Sequence, residues 1–478
     1  MFHGRVAGAR HPRTLSEFRV RVSFLEREVA ERDARIEALV REVGRLKAQI
    51  ENLGALVQNL QRSSKRQAAP FSKGDPMPDP KRPGRKCGAR YGRRGQRPIP
   101  DKVDATYRVA CPKRCPCGGR VKPEGTVDPY EIDLPRVEPC VCLFVCGWGH
   151  CGDCNRRVQA RHPLQTSSAH EVGTVSIGPV AIGFAARLKV MCGLSYGQSQ
   201  AVLKEVLKFP VHPSTLCRAL TRLARRAEPT YQSLIKQTRT AKVAYPDETG
   251  WRIGGRNAWA WTVATKRTSV FSFLRGRGFA EAASILGADF AGTLGPDGWA
   301  PYRCFKKATL ATCNAHLLRR CREILETATR GAVRFPRAIK KLLQDGLALR
   351  DRRDEGELSA HGLKVAVGRL RARLNRLIDG GQVTNPANAR FVKHLLNYRH
   401  AVFRYLERPG IEATNWPAEH EMRLVARIRK SCAGNRTERG ARTLSVLLSV
   451  FRTGTKRGCD LLDLTATILR APVPRPHL

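Results

Sequence analysis

The stretch VAYPDETGW (residues 243–251), followed by AWAWTVA (258–264) and SVFSFL (269–274), decides the fold. Short apolar runs bounded by turn residues read as three successive strands. A helix over Ala280–Leu286 follows, then a short strand over Gly292–Leu294 that ends in a turn at Asp297-Gly298. Ala308–Thr312 reads as a further strand that leads into a helix over His316–Ile324.

Three strands, a helix, a strand, then a strand and a helix is the order of an RNase H-like core, within a multidomain α/β chain. In that order Asp247 lies on the first strand and Asp297 follows the fourth. Neighbouring strands then bring together two carboxylates that are far apart in sequence. Hard divalent cations such as Mg²⁺ take oxygen ligands, and a pair of them can activate a water or a 3′-hydroxyl while steadying a leaving oxygen. The pattern predicts phosphodiester cleavage and strand transfer.

A third carboxylate is expected from a later helix, and NWPAEHEMR (415–423) supplies it. Asn415 sits at an N-cap position with Pro417 in the first turn. Glu419 and Glu421 are two apart on the helix, so only one of them faces the metals. Taken singly, each acid is equally readable as a surface charge or cap, and their joint placement makes the case.

Lysine and arginine number 86 against 41 acidic residues in 478, a formal charge of +45. The pI is about 10.7. Such an imbalance points to a polyanionic partner, nucleic acid, and to binding that weakens steeply with salt. No segment has the length and purity of a membrane span or a signal peptide, so a cytoplasmic, nucleoid-associated bacterial location is expected.

The preceding segments look like DNA-handling modules. After an arm over 1–20, residues 21–62 carry a seven-residue repeat: Val22, Val29, Ile36, Val43, Ile50 and Val57 at one position, with Leu25, Leu39, Leu46, Leu53 and Leu60 three later. Only Arg32 breaks it. β-Branched residues at a and leucine at d favour a two-stranded parallel coiled coil, hence a homodimer. One amphipathic helix packed on its own protein is the other reading. Residues 63–105 form a basic linker rich in Pro and Gly, with Arg85, Lys86, Arg93 and Arg94 as candidate DNA contacts; a solvated spacer explains that composition equally well.

Nine of the sixteen cysteines fall between Cys87 and Cys154, a pattern of metal binding. Within 106–165, Cys111, Cys115 and Cys117 compete for two places opposite Cys151 and Cys154 in a zinc ribbon, across about thirty residues with strand-like stretches. Cys140, Cys142, Cys146 and His150 lie nearby. Residues 166–241 are helical in period. There Tyr196–Leu207, a break, and an Arg-rich helix from Pro213 to Ala227 fit a helix-turn-helix DNA-binding region, or any helical hairpin.

Taken together, these stretches resemble the transposases of the insertion sequence 66 family. The matching motifs are DETGW (247–251), GTLGPDGW (292–299), CNAHLLRR (313–320), residues 415–423, Arg429-Lys430 and the run 440–458 with Ser449 and Thr453. The resemblance implies a DDE-type transposase with Asp247, Asp297 and Glu419 as the Mg²⁺- or Mn²⁺-binding triad, acting on terminal inverted repeats and target DNA. It divides the catalytic core into 242–321 and 410–470, separated by a helical insertion over 322–409 and followed by a tail over 471–478. Cys313 and His316 match a C-x-x-H signature, with a structural role at the strand end and a metal there as the lesser reading. Arg319, Arg320, Arg423, Arg429 and Lys430 are further candidate DNA contacts. Trp416, Pro417 and His420 depart from the family's usual residues, and accessory element proteins are an expected partner. A regulator or domesticated remnant that binds DNA without chemistry is the alternative class, and the intact triad argues against it.

Overall fold

A computed structural model of the chain describes residues 15–64, 99–135, 137–166, 176–380 and 383–478. Two units are distinguished, Met1–Glu131 and Ile132–Leu478. The linker residues Arg85, Lys86, Arg93 and Arg94 lie outside the described residues, as does Cys87.

In the first unit, helix α1 spans Leu15–Ser64. It begins within the segment expected as an arm and carries the heptad positions on one continuous helix. Val22, Leu25, Val29, Ile36, Leu39, Val43, Leu46, Ile50 and Leu53 are all exposed along it. Further on, a tight turn is closed by Cys115 N–H to the Gly119 carbonyl at 2.9 Å and Gly118 N–H to the Cys115 carbonyl at 2.8 Å.

The second unit opens on a hairpin, β1 (Trp148–His150) paired antiparallel with β2 (Arg157–Gln159), whose turn holds Cys151 and Cys154. Strands expected between Cys117 and Cys151 are absent among the described residues up to Gly147. Pro123, Pro129, Pro135 and Pro139 punctuate that segment, and each removes a ladder donor.

Helices α2 (Pro179–Ala186), α3 (Tyr196–Leu207) and α4 (Pro213–Arg239) follow. α3 starts on a capping box in which Ser195 and Gln198 satisfy each other's backbone donors. α4 runs twelve residues past the expected end at Ala227 and through Pro229, because Tyr231, Leu234, Ile235 and Thr238 continue its buried stripe. Much of this helix therefore serves the core.

The five-stranded sheet has the order β5-β4-β3-β6-β7, with β3 (Val243–Ile253), β4 (Arg256–Ala264) and β5 (Ser269–Leu274) antiparallel. β6 (Thr293–Leu294) and β7 (Thr309–Leu310) add in parallel on the other side of β3. Helix α5 (Phe279–Leu286) makes the crossover. β3 is thus central, and Asp247 lies in its middle.

Strand β5 would expose unpaired backbone groups along the sheet edge. Helix α12 (Glu438–Lys456) covers it: Ser449 Oγ accepts from Phe271 N–H at 2.8 Å, and Thr453 Oγ1 accepts from Ser269 N–H at 3.0 Å. These hydroxyls replace the missing strand. Around the sheet, α4 and α12 pack on each other and on β5, while α11 (Trp416–Cys432) packs on β3 and β4.

Between β7 and α11 stand α6 (Asn314–Thr327), α7 (Arg334–Asp354), α8 (Ala360–Asp379), α9 (Pro386–Tyr398) and α10 (Arg404–Glu407). They enclose a hydrophobic core of their own, centred on Leu317, Ile339, Leu343, Leu374, Phe391 and Tyr405. The chain closes on α13 (Leu461–Arg470), which packs on α2.

Candidate active site

Strand alternation sends Asp247 and Glu248 to opposite faces of β3. Glu248 points inward, its side chain 1% exposed, and is fully engaged. It accepts from Tyr302 Oη at 2.7 Å and pairs with Arg277 at 2.9 Å. Asp247 keeps an open face and accepts only from the Glu248 N–H, at 2.9 Å, among the described contacts.

Asp297 comes from the loop after β6. Its carboxylate accepts from Trp299 N–H at 2.9 Å, which folds the loop back on itself. Gly298 sits at φ +101°, and a Cβ there would meet the His394 ring at 2.8 Å, so the turn has room for glycine alone. The loop is also clamped from behind. The Arg277 guanidinium lies over the Trp299 ring at 3.9 Å and the Trp259 ring at 4.5 Å, while Glu248 holds its other edge. A buried acid, a cation between two indoles, and Asp297 form one chain of contacts.

Glu419 enters from the first turn of α11. The segment leading into it is sewn down by Asn314 N–H to the Ala413 carbonyl (2.9 Å), Glu412 N–H to Tyr245 Oη (2.6 Å) and Asn415 N–H to Cys313 Sγ (3.1 Å). Asn415 occupies the N-cap, yet its side chain does not cap the helix. It donates from Nδ2 to the Pro246 carbonyl at 3.0 Å, one residue before Asp247. Two residues beyond Glu419, Glu421 is fully buried and paired with Arg452 at 2.7 Å and Lys456 at 3.2 Å. Burial pushes its carboxyl upward, but the two cations prevail and hold it below the ordinary range. Of the two acids on α11, Glu419 is therefore the one left for the site.

Asp247 feels the other two acids. Burial first, then Glu248, Asp297 and Glu419, raise the Asp247 carboxyl to about 7. Converging carboxylates of this kind suit a divalent cation, whose charge would relieve the repulsion. Cys313 and His316, at the start of α6, stand beside the same acid: Cys313, His316 and Glu419 offer ligand atoms within 4.8 Å of one another.

A family model described as Transposase IS66 family matches residues 177–443, more than half of the chain. The chain belongs to that family. Comparison with curated proteins gives no match. In this IS66 family transposase the matched region takes in the sheet, the helical insertion and α11, with all three acids. Among the described residues no helix is long and apolar enough to cross a membrane.

The other candidate residues divide by their surroundings. Arg319, Arg320, Arg423 and Lys430 are exposed on α6 and α11. Arg429 is half-buried and donates to Thr249 Oγ1 at 3.0 Å and the Gly250 carbonyl at 2.5 Å, tying α11 to β3. In each cysteine turn a sulfur is stabilised as thiolate: Cys117 by the Gly119 N–H and Cys115, and Cys151 by the Cys154 and Asp153 N–H groups. Sequence reasoning missed the clamp of Glu248, Arg277, Trp259 and Trp299, and missed His394. Burial, with Arg320 and Arg303 nearby, lowers His394 to about 4, so it is neutral at pH 7. The only hint of the clamp was an acid directly after Asp247.

Proposed function

We propose that this transposase works by DDE chemistry on an RNase H-like core, cleaving DNA at its element's terminal inverted repeats and joining the freed 3′-ends to target DNA. The observation that carries the reading is the convergence of Asp247, Asp297 and Glu419 from a central strand, the adjacent strand's loop and a packed helix. The mixed strand order with β3 in the middle supports the fold assignment.

Asp247, Asp297 and Glu419 are the residues to hold Mg²⁺ or Mn²⁺, and their all-oxygen donor set fits a hard cation. When bound, such ions lower the pKa of an attacking water or hydroxyl and steady the leaving oxygen. Asp247 is set by β3, Asp297 by the indole clamp and Glu419 by the Asn415 hook, so the carboxylates meet the phosphate preorganised. Exposed Arg319, Arg320, Arg423 and Lys430 supply phosphate contacts that hold DNA without reading its sequence.

The exposed heptad stripe of α1 supports a homodimeric coiled coil, and the two cysteine turns support Zn²⁺ as a structural ion in the N-terminal part, with the basic linker and helical region as DNA contacts. A cytoplasmic, nucleoid-associated location and a need for accessory element proteins complete the reading.

The test is incubation of the purified protein with DNA carrying the element's ends, a second DNA duplex and Mg²⁺ or Mn²⁺. Nicking at the ends with joining to the second duplex is expected. Hydrolysis without joining makes it a nuclease, and tight binding with neither, even with the neighbouring element proteins added, makes it a regulator.

A further inference from the structure

We infer that Cys313, His316 and Glu419 form a second cation site of softer chemistry, which takes an ion of the zinc class and, when filled, withholds Glu419 from Asp247 and Asp297. The ligand atoms lie within 4.8 Å of one another, with His316 Nδ1 3.8 Å from Glu419 Oε1. Tetrahedral zinc with bonds of about 2.0–2.3 Å places neighbouring ligands roughly 3.3–3.7 Å apart, so small side-chain rotations close the set. Three protein ligands leave a fourth position for water or a phosphate oxygen.

Two observations set this trio apart from chance neighbours. His316 Nδ1 is buried and has no hydrogen-bond partner, although it faces Glu419. A buried polar atom left unpaired is costly, and an ion would satisfy it. The Cys313 sulfur, in turn, accepts the Asn415 N–H at 3.1 Å and sits at the N-cap of α6. That N–H fixes the direction of the sulfur, as the outer contacts of a metal ligand do. On binding, the Cys313 S–H bond breaks, its proton passes to solvent, and the sulfur's electron pair goes to the ion; nothing is oxidised or reduced.

The consequence is selectivity with a cost. Sulfur and imidazole discriminate against Mg²⁺ and favour Zn²⁺ or Co²⁺. Glu419 serves both sites and cannot fully serve both at once. Zinc-class ions should therefore oppose the Mg²⁺-dependent reaction. The inhibition rests on the proposed role of Glu419, whereas the binding of the ion does not.

The experiment is Co²⁺ titration of the full-length protein in excess Mg²⁺, read by visible and near-ultraviolet absorption and by bound Co²⁺ per chain. Wild type is compared with Cys313→Ser, His316→Ala and Glu419→Gln. The cysteine-rich segment contributes equally to all four, so the differences report this site. The expected result is one equivalent fewer in Cys313→Ser and in His316→Ala, loss of one sulfur-to-cobalt band in Cys313→Ser, and at least tenfold weaker binding of that equivalent in Glu419→Gln. Equal stoichiometry and identical spectra in all four overturn the site. Loss in Cys313→Ser and His316→Ala with unchanged affinity in Glu419→Gln overturns the withholding of Glu419. Because the readout is spectroscopic, a protein that never cleaves DNA still tests the site, while failure of cleavage speaks only to the proposed function.

Discussion

The Asn415 side-chain amide donates to the Pro246 carbonyl at 3.0 Å, so the helix that carries Glu419 is hooked to the residue before Asp247. The same residue's N–H reaches Cys313 Sγ at the end of β7's connection to α6. One buried asparagine thus joins three elements at the point where the acids converge.

Asn415→Ala removes the hook and leaves a buried carbonyl unpaired. Misplacing a catalytic group by about 1 Å costs roughly a hundredfold in rate. We expect single-turnover cleavage to fall by about that factor, with DNA affinity within about twofold of wild type. Equal loss of affinity and rate would locate the defect in folding instead.

The clamp behind Asp297 makes a stability prediction. Arg277→Leu leaves Glu248 buried without its cation, which costs about 3 kcal/mol, read by denaturant unfolding. Adding Glu248→Gln should recover part of that loss, since it removes the unpaired charge. No recovery would show that the indole contacts, rather than the ion pair, carry the stability.

Glu421 with Arg452 and Lys456 fixes α11 against α12. Arg452→Met should destabilise the fold by roughly 3 kcal/mol, as expected when a buried ion pair loses one member. A change below about 1 kcal/mol would mean that solvent reaches this pair.

Because Asp247 is raised to about 7 when folded, the folded chain binds that proton more tightly than the unfolded chain does. In the metal-free protein the contribution to stability is present below about pH 4, where the unfolded carboxyl is also protonated, and is lost as pH rises towards 7. A divalent cation should reverse the loss. The melting temperature is therefore expected to rise more on adding Mg²⁺ at pH 8 than at pH 5, and Asp247→Asn should flatten the difference. Equal shifts at both pH values would contradict the coupling.

Much of the fold and site is legible in the sequence where the signal is local. The strand runs that hold Asp247 and precede Asp297 stand out as apolar segments between turns, and the α1 repeat is plain in the heptad positions. The spacing of Glu419 and Glu421 already requires opposite orientations, although not which acid is buried. What cannot be read depends on partners distant in sequence. Arg277 between Trp259 and Trp299, Asn415 on Pro246 and Ser449 on Phe271 are long-range contacts with no periodic trace. Asn415 looks like a helix cap because its position is one, while tertiary structure draws its side chain to β3. Among the described residues, the strands expected between Cys117 and Gly147 do not form because the β-favouring residues there are interrupted by prolines.

The most direct measurement sets Asp247→Ala, Asp297→Ala and Glu419→Ala beside wild type in Mg²⁺-dependent cleavage of end-bearing DNA, with DNA binding measured on the same preparations. Each substitution is expected to lower cleavage by at least about a thousandfold, as for residues that act as a unit, while binding persists. Wild-type cleavage in any one of the three would contradict a shared catalytic centre.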